Sequence, residues 1–331
     1  MFEKVFIIDN VRYQYGFATT QDRIVEEWLL SYPKGRPQQW LTREWNESVG
    51  DHDWQLGNNL IGEKKLWKKL TRENALFLPT AVQLNSNQLR PIYIWFKHTL
   101  RTANMAGWSP KFTASLCQRN GIEKLHVMKF LQAADLGIDD IVVKENEFDY
   151  SVLPDNMPHF IKEKIKHEMK DEQLLEIMTS HIDTEGRAEL FDIDDESHGT
   201  KKMFSLAGPW IDSLKKGYIL VIDELNVGLH PLLLKYLINL FNNSKTNPKN
   251  AQLVFTTHET SILNQALFRR DQIWFCEKDN QNVSKLYPLA DFSPRKGREN
   301  LEQAYLSGRY GSLPYVKPFE NNFIGMFNGK G

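Results

Sequence analysis

Two adjacent carboxylates close an apolar run in Tyr218-Ile219-Leu220-Val221-Ile222-Asp223-Glu224. A short apolar run bounded by polar residues reads as a buried strand. Ligands of open α/β sheets bind beyond the carboxyl ends of such strands. In nucleotide hydrolysis the pair would divide the work: Asp223 would hold Mg²⁺ through water, and Glu224 would polarise the attacking water. Two solvated acids at a strand end satisfy the same pattern. A second apolar run, Ala251–Phe255, leads into Thr256-Thr257-His258 and puts His258 34 residues beyond Glu224. A neighbouring parallel strand would bring that imidazole to the same edge. There it would bond a terminal phosphate and sense its loss; a satisfied strand-end histidine is the plain alternative.

Upstream, Asp195-Glu196-Ser197-His198-Gly199-Thr200-Lys201-Lys202 opens a helix. Free N–H groups at a helix start, the Ser197 hydroxyl and the close approach allowed by Gly199 suit a phosphate. Asp192, Asp194, Asp195 and Glu196 oppose an anion there. Their crowding matches no known cation-ligand spacing.

The elements that must position these residues fall into three stretches. Residues 1–75 read as antiparallel β: Val5–Ile8, Arg12–Phe17 and Ile24–Tyr32 are separated by turn material at Asp9-Asn10 and Thr19–Asp22. Trp40, Trp45 and Trp54 read as packing. Residues 76–187 read as a mainly helical insertion, with helices over 88–103, 122–136 and 158–181 and a linker over 149–158. Residues 188–331 read as an α/β lobe. Its order is a strand at 189–193, a helix at 201–214 interrupted near Pro209, and strands at 218–222 and 252–256. Helices at 232–241 and 261–268 and a last strand at 272–275 complete it. Two continuous apolar strands with helices between them imply a parallel sheet covered on both faces.

The composition narrows the function. The chain has 331 residues, 41 Lys+Arg against 42 Asp+Glu, and a formal net charge of −1, which excludes a cloak of basic residues for nucleic acid. Cys117 and Cys276 stand far apart in sequence, which argues against a disulfide scaffold or zinc ribbon and fits a reduced, cytoplasmic setting. No apolar run reaches the roughly 18 residues of a spanning helix. There is no G-x-S-x-G elbow or H-E-x-x-H zinc motif. Basic clusters at Arg269-Arg270 and Arg295–Arg298 read as solvated surface, with contact to nucleic acid as the alternative.

The order of loop, helix, Asp-Glu strand, helix and His strand resembles the C-terminal half of an ABC-type ATPase head, as in SMC and RecF-like proteins. Glu196–Thr200, Asp223-Glu224-Leu225 with Leu229-His230-Pro231, Thr256–His258 and Arg270–Trp274 narrow the resemblance. With Leu76–Leu78, Gln83–Asn85, Ala134–Ile138 and Tyr305–Gly311, they resemble the RloA-like, OLD-related AAA family ATPases of bacterial defence loci. The resemblance implies an ABC/SMC-like P-loop NTPase head with an N-terminal antiparallel part and a helical insertion. It implies ATP and Mg²⁺ as cofactors, Glu224 and His258 as catalytic residues, and Asp223 on the metal. Ser197 and Gly199 would act on nucleotide held by a second copy, and Gln83 would link metal to the helical arm. It also implies a homodimer or higher oligomer, a separate effector or nuclease partner, possible DNA contact and an abortive-infection role.

The phosphate-cradling G-x-x-x-x-G-K-[ST] is not found in the chain; the nearest stretch, Gly57–Lys65, has Glu63 in the lysine's place. The expectation is weak ATP binding by this chain alone. A head-fold interaction protein without a nucleotide pocket, or a DNA-repair ATPase, are the rival readings.

Overall fold

The computed structural model describes residues 1–103, 108–119, 121–146, 157–169, 174–279, 281–295 and 297–314. It divides into two compact units, Met1–Arg101 and Thr102–Gly331.

The first unit opens with a five-stranded antiparallel meander, β1 (Phe2–Ile8), β2 (Val11–Thr19), β3 (Ile24–Tyr32), β4 (Gln38–Asn46) and β5 (Asp51–Leu56), in sequential order. Ile8 pairs with Val11, so Asp9-Asn10 is a two-residue turn. Both turn residues have positive φ, 47° and 63°, as the tight hairpin with matching twist requires. Leu29, Leu41, Tyr15 and Trp40 fill the buried face. Three short helices follow: α1 (Lys64–Leu70), α2 (Phe77–Gln83) and α3 (Arg90–Ile94). The helix expected over 88–103 ends early. After α3 the chain makes one π-helical turn, Trp95–Thr99, and then extends as β6 (Leu100–Ala103). Leu100 is already extended, and Ala103 O accepts a bond from Asp223 N, so sheet pairing overrides the helical spacing there.

In the second unit, α4 (Pro110–Cys117) and α5 (Ile122–Ala133) pack on the long helix α7 (His198–Lys216). An antiparallel sheet joins β7 (Asp140–Asn146), β8 (Leu174–Ile182) and β9 (Ala188–Asp192), with α6 (His159–Met169) between the first two. The long helix expected over 158–181 is therefore corrected. Residues 174–182 form a strand in which Ile177 and Thr179 are buried at period two and Met178 faces Val142 on the partner strand. β-branched residues on a half-buried pleat outweigh the helical spacing of the leucines. The strand expected at 189–193 is β9, and it belongs to this antiparallel sheet. Most of the expected 149–158 linker lies outside the described residues.

Helix α7 runs through Pro209 without a break. Proline leaves the carbonyl four residues back without its donor. Here the Thr113 hydroxyl donates to Ser205 O at 3.4 Å and accepts from Gly208 N at 3.0 Å. The helix ends at Gly217, whose φ of 77° permits the left-handed cap. Next come β10 (Ile219–Ile222), α8 (Pro231–Asn242) and β11 (Gln252–Phe255). β10 and β11 are parallel with Ile219 opposite Gln252, and the sheet order is β11-β10-β6. The core beneath holds Met203, Phe204, Trp210, Leu220, Leu234 and Leu237. Only β10 is covered as expected. β11 is an edge strand with Val254 50% exposed.

The helix expected over 261–268 reduces to a 3-10 turn, Thr260–Ile262, because Asn264 bonds the following backbone N–H of Ala266 instead. The last strands, β12 (Trp274–Lys278) and β13 (Ser284–Pro288), form a separate antiparallel pair. With α9 (Leu301–Leu306) they enclose a small core of Ile273, Phe275, Leu289, Leu301 and Tyr310.

Candidate functional site

Ile222 pairs with Phe255. One residue further along each strand stand Asp223 and Thr256, and their side chains meet. Thr256 Oγ1 donates to Asp223 Oδ1 at 2.5 Å and accepts from Glu224 N at 2.8 Å. Leu225 N then bonds Thr256 O at 3.1 Å, so the first turn after β10 is fastened to the end of β11. Glu224 has φ 50°, a left-handed backbone that is uncommon for a long side chain. Val227 N returns to Glu224 O and Leu229 N to Asn226 O, and the chain reverses into α8. The second hydroxyl, Thr257 Oγ1, bonds Asn226 Oδ1 at 2.9 Å.

His258 Nε2 lies 3.4 Å from Glu224 Oε1. The side chain of His258 is 84% exposed and that of Glu224 25%. Asp223, Glu224 and His258 thus converge on one rim at the carboxyl ends of two parallel strands.

The Ser197 turn reaches the same region from α7. Ser197 is exposed, and its Oγ caps the helix by accepting from Thr200 N at 3.1 Å. Gly199 has an intrachain reason to be glycine: a Cβ there would stand 3.2 Å from Gly228 O. Gly228 has φ 74°, and a Cβ on it would collide with the His198 ring at 2.2 Å. The turn at 197–199 and the turn at 226–228 are therefore packed against each other.

Two residues of the site were not singled out from sequence. Thr256 is the clasp between the acids; its signal was the register, which sets it opposite Asp223 once the strands are parallel. Lys202 donates to Val227 O at 2.6 Å and faces Glu224. Burial pushes its ammonium down and the Glu224 charge partly restores it. Four residues separate Lys202 from Ser197, and nothing in the sequence ties it to 227. Gln83 ends α2, exposed, in the other unit.

The donor set suits Mg²⁺ in one respect. Asp223 Oδ1 is held by Thr256, while Oδ2 has no hydrogen bond among the described residues. Mg²⁺ is typically held by one or two carboxylates with water and phosphate oxygens, without a protein cage. Among the described residues no cluster of three or more His, Cys, Asp or Glu forms such a cage. For ATP, the rim offers one imidazole and a cationic Lys202 beside the acids. The Ser197 hydroxyl is already engaged in capping its own helix.

Among the described residues no helix is long and apolar enough to cross a membrane. Residues 118–264 match the family model described as "AAA domain, putative AbiEii toxin, Type IV TA system", which is less than half of the chain but includes Ser197, Asp223, Glu224 and His258. No curated protein matches the chain. Among solved structures, the SMC head bound to the C-terminal winged-helix domain of ScpA is 14% identical, with a TM-score of 0.33. That alignment covers 84% of this chain and 73% of the SMC head chain. The chain is a mixed α/β protein with an N-terminal antiparallel sheet, and its central part is similar to an AAA-type ATPase domain.

Proposed function

We propose that the protein is the head of an ABC/SMC-like ATPase: a switch in which ATP joins two copies and hydrolysis releases them. The observation that carries this reading is the rim itself. Two adjacent acids end one parallel strand, and a histidine from beyond the neighbouring strand stands 3.4 Å from the second acid. The AAA-type family match across 118–264 supports it.

In this reading Asp223 holds Mg²⁺, which supplies charge neutralisation of the phosphates when bound. Glu224 accepts a hydrogen bond from the attacking water and draws its proton. His258, exposed and adjacent, donates to the terminal phosphate oxygens and reports their departure through its contact with Glu224. Ser197 and Gly199 face a second copy. The name of the matching family supports an abortive-infection role; a separate effector as partner belongs to the same proposal.

The test is Glu224→Gln. It should slow Mg²⁺-dependent ATP turnover by about 10²–10⁴-fold, the range for a positioned general base, and leave nucleotide binding intact. Size-exclusion chromatography should then show ATP-trapped dimers. Unchanged turnover, or no binding of Mg²⁺-ATP by the native protein, overturns the proposal.

A further inference from the structure

Charge is not spread evenly along the first unit. Residues 57–101 hold eight Lys or Arg and two acids, Glu63 and Glu73, in a chain that is nearly neutral as a whole. Part of that excess lines a cavity of about 390 Å³. Arg90, Tyr93, Lys97 and His98 enter it from α3 and the π-helical turn, and Asn85 and Asn87 enter from the turn after α2. No carboxylate lines it.

The geometry follows from the helix. Positions 90, 93, 94, 97 and 98 fall on one stripe, at spacings of three, four, seven and eight. The opposite face is committed to the core: Trp95 stacks on Phe6 with ring centroids 4.2 Å apart, and Phe96 meets Tyr15 edge-on at 5.4 Å. Lys97 and His98 lie within the π turn, and such bulges are frequent at functional sites. Across the cavity, Asn85 has φ 65°, which bends the chain back toward the helix. Arg90 and Lys97 make no ion pair among the described residues. A helix selected for stability alone would interleave acids at i+4 among such cations. Cations gathered around amides and a phenol, with no acid among them, lower the cost of holding an anion.

We propose that this cavity binds a phosphate-bearing anion, with Arg90 and Lys97 on its oxygens, His98 and the two asparagines as further donors, and Tyr93 as its wall. A volume of about 390 Å³ falls within the range of small-ligand pockets. The site needs neither Mg²⁺ nor the Asp223–His258 rim.

The test uses inorganic pyrophosphate with the full chain in EDTA, so that no metal-dependent site contributes. Isothermal titration should show saturable binding. The Arg90→Gln/Lys97→Gln double variant should weaken it by about tenfold or more, the loss of charged hydrogen bonds. Arg90→Lys/Lys97→Arg, which keeps both charges, should retain most of it. Lys97→Gln alone changes one exposed side chain, so it should fold and still lose about threefold; it decides the matter if the double variant does not fold. Competition identifies the source of the phosphate: displacement by ATP indicates a nucleotide, and displacement by a single-stranded oligonucleotide alone indicates a strand backbone. No saturable pyrophosphate binding, or equal binding by Lys97→Gln and the native protein, overturns the proposal.

Discussion

The molecule holds two carboxylates with opposite surroundings. Glu27, on β3 in the first unit, is fully buried. Its oxygens accept from Tyr15 OH at 2.8 Å, Phe77 N at 2.8 Å and Leu78 N at 3.2 Å, and Arg43 Nε stands 3.5 Å away. Glu27 thereby caps α2, and Arg43 Nη2 ties the preceding loop through Ala75 O at 2.9 Å. Glu224 is partly open and meets one exposed imidazole. Burial pushes the Glu27 carboxyl up, and the backbone N–H groups, Arg43 and Tyr15 pull it back. A carboxylate saturated with donors in a sealed core holds structure. One with spare lone pairs, at the carboxyl end of a parallel strand, is free to take a ligand.

The comparison breaks most sharply by mutation. Glu27→Ala leaves Arg43 charged, buried and unpaired, and it removes the cap of α2. Breaking a buried pair this way costs about 3–5 kcal/mol, read as a fall in the urea midpoint. Glu224→Gln should leave that midpoint within about 0.5 kcal/mol of the native protein. If the two variants destabilise equally, the contrast between a structural and a ligand-facing acid is wrong.

A smaller effect tests the clasp. Thr256→Val removes the hydroxyl shared by Asp223 and Glu224 N while keeping the side-chain shape. The loss of two exposed hydrogen bonds should cost about 0.5–1.5 kcal/mol. ATP turnover should fall more than this suggests, because the Glu224 turn is no longer fastened to β11. A stability loss with unchanged turnover would assign Thr256 to the fold alone.

The sequence made some of this contrast legible and hid the rest for physical reasons. The meander, α5 and the parallel β10–β11 pair carry strong local signals: turn residues at Asp9-Asn10, apolar residues at helical spacing from Ile122 to Leu131, and unbroken apolar runs, although α5 ends at Ala133 and not at the expected residue 136. So do the acids and His258, since strand ends are visible in the pattern. The strand at 174–182 was hidden because Leu174, Leu175 and Met178 also fit a helix, and only pairing with β7 decides between the periods. The continuity of α7 at Pro209 depends on Thr113, far away in sequence. Nothing in the sequence singles out Glu27, because its partners Arg43 and the start of α2 meet it only in the fold. Lys202 reaches Val227 only through packing of two turns.

The smallest expected effect is one of pH, and it concerns the C-terminal subdomain. Glu299 Oε1 accepts from Tyr310 OH at 2.6 Å, Arg295 N bonds Oε2 at 2.9 Å, and Arg309 lies 2.8 Å away. The Tyr310 bond first, then Arg295 N–H, hold this carboxyl below its ordinary range, while burial and the same Glu299 push the Tyr310 hydroxyl up to about 12. A carboxyl depressed in the folded state stabilises fully above its unfolded pKa, and that contribution is lost as pH falls through the folded value. The region around Tyr310 should therefore loosen in acid, below the normal carboxylate range, while Tyr310 stays neutral at physiological pH. Hydrogen exchange of residues 299–312 across that window reads the change, and Glu299→Gln should flatten it. An acid response unaltered in Glu299→Gln would move the cause to Asp279, whose carboxyl is also depressed, first by the Val283 and then by the Gln281 backbone N–H.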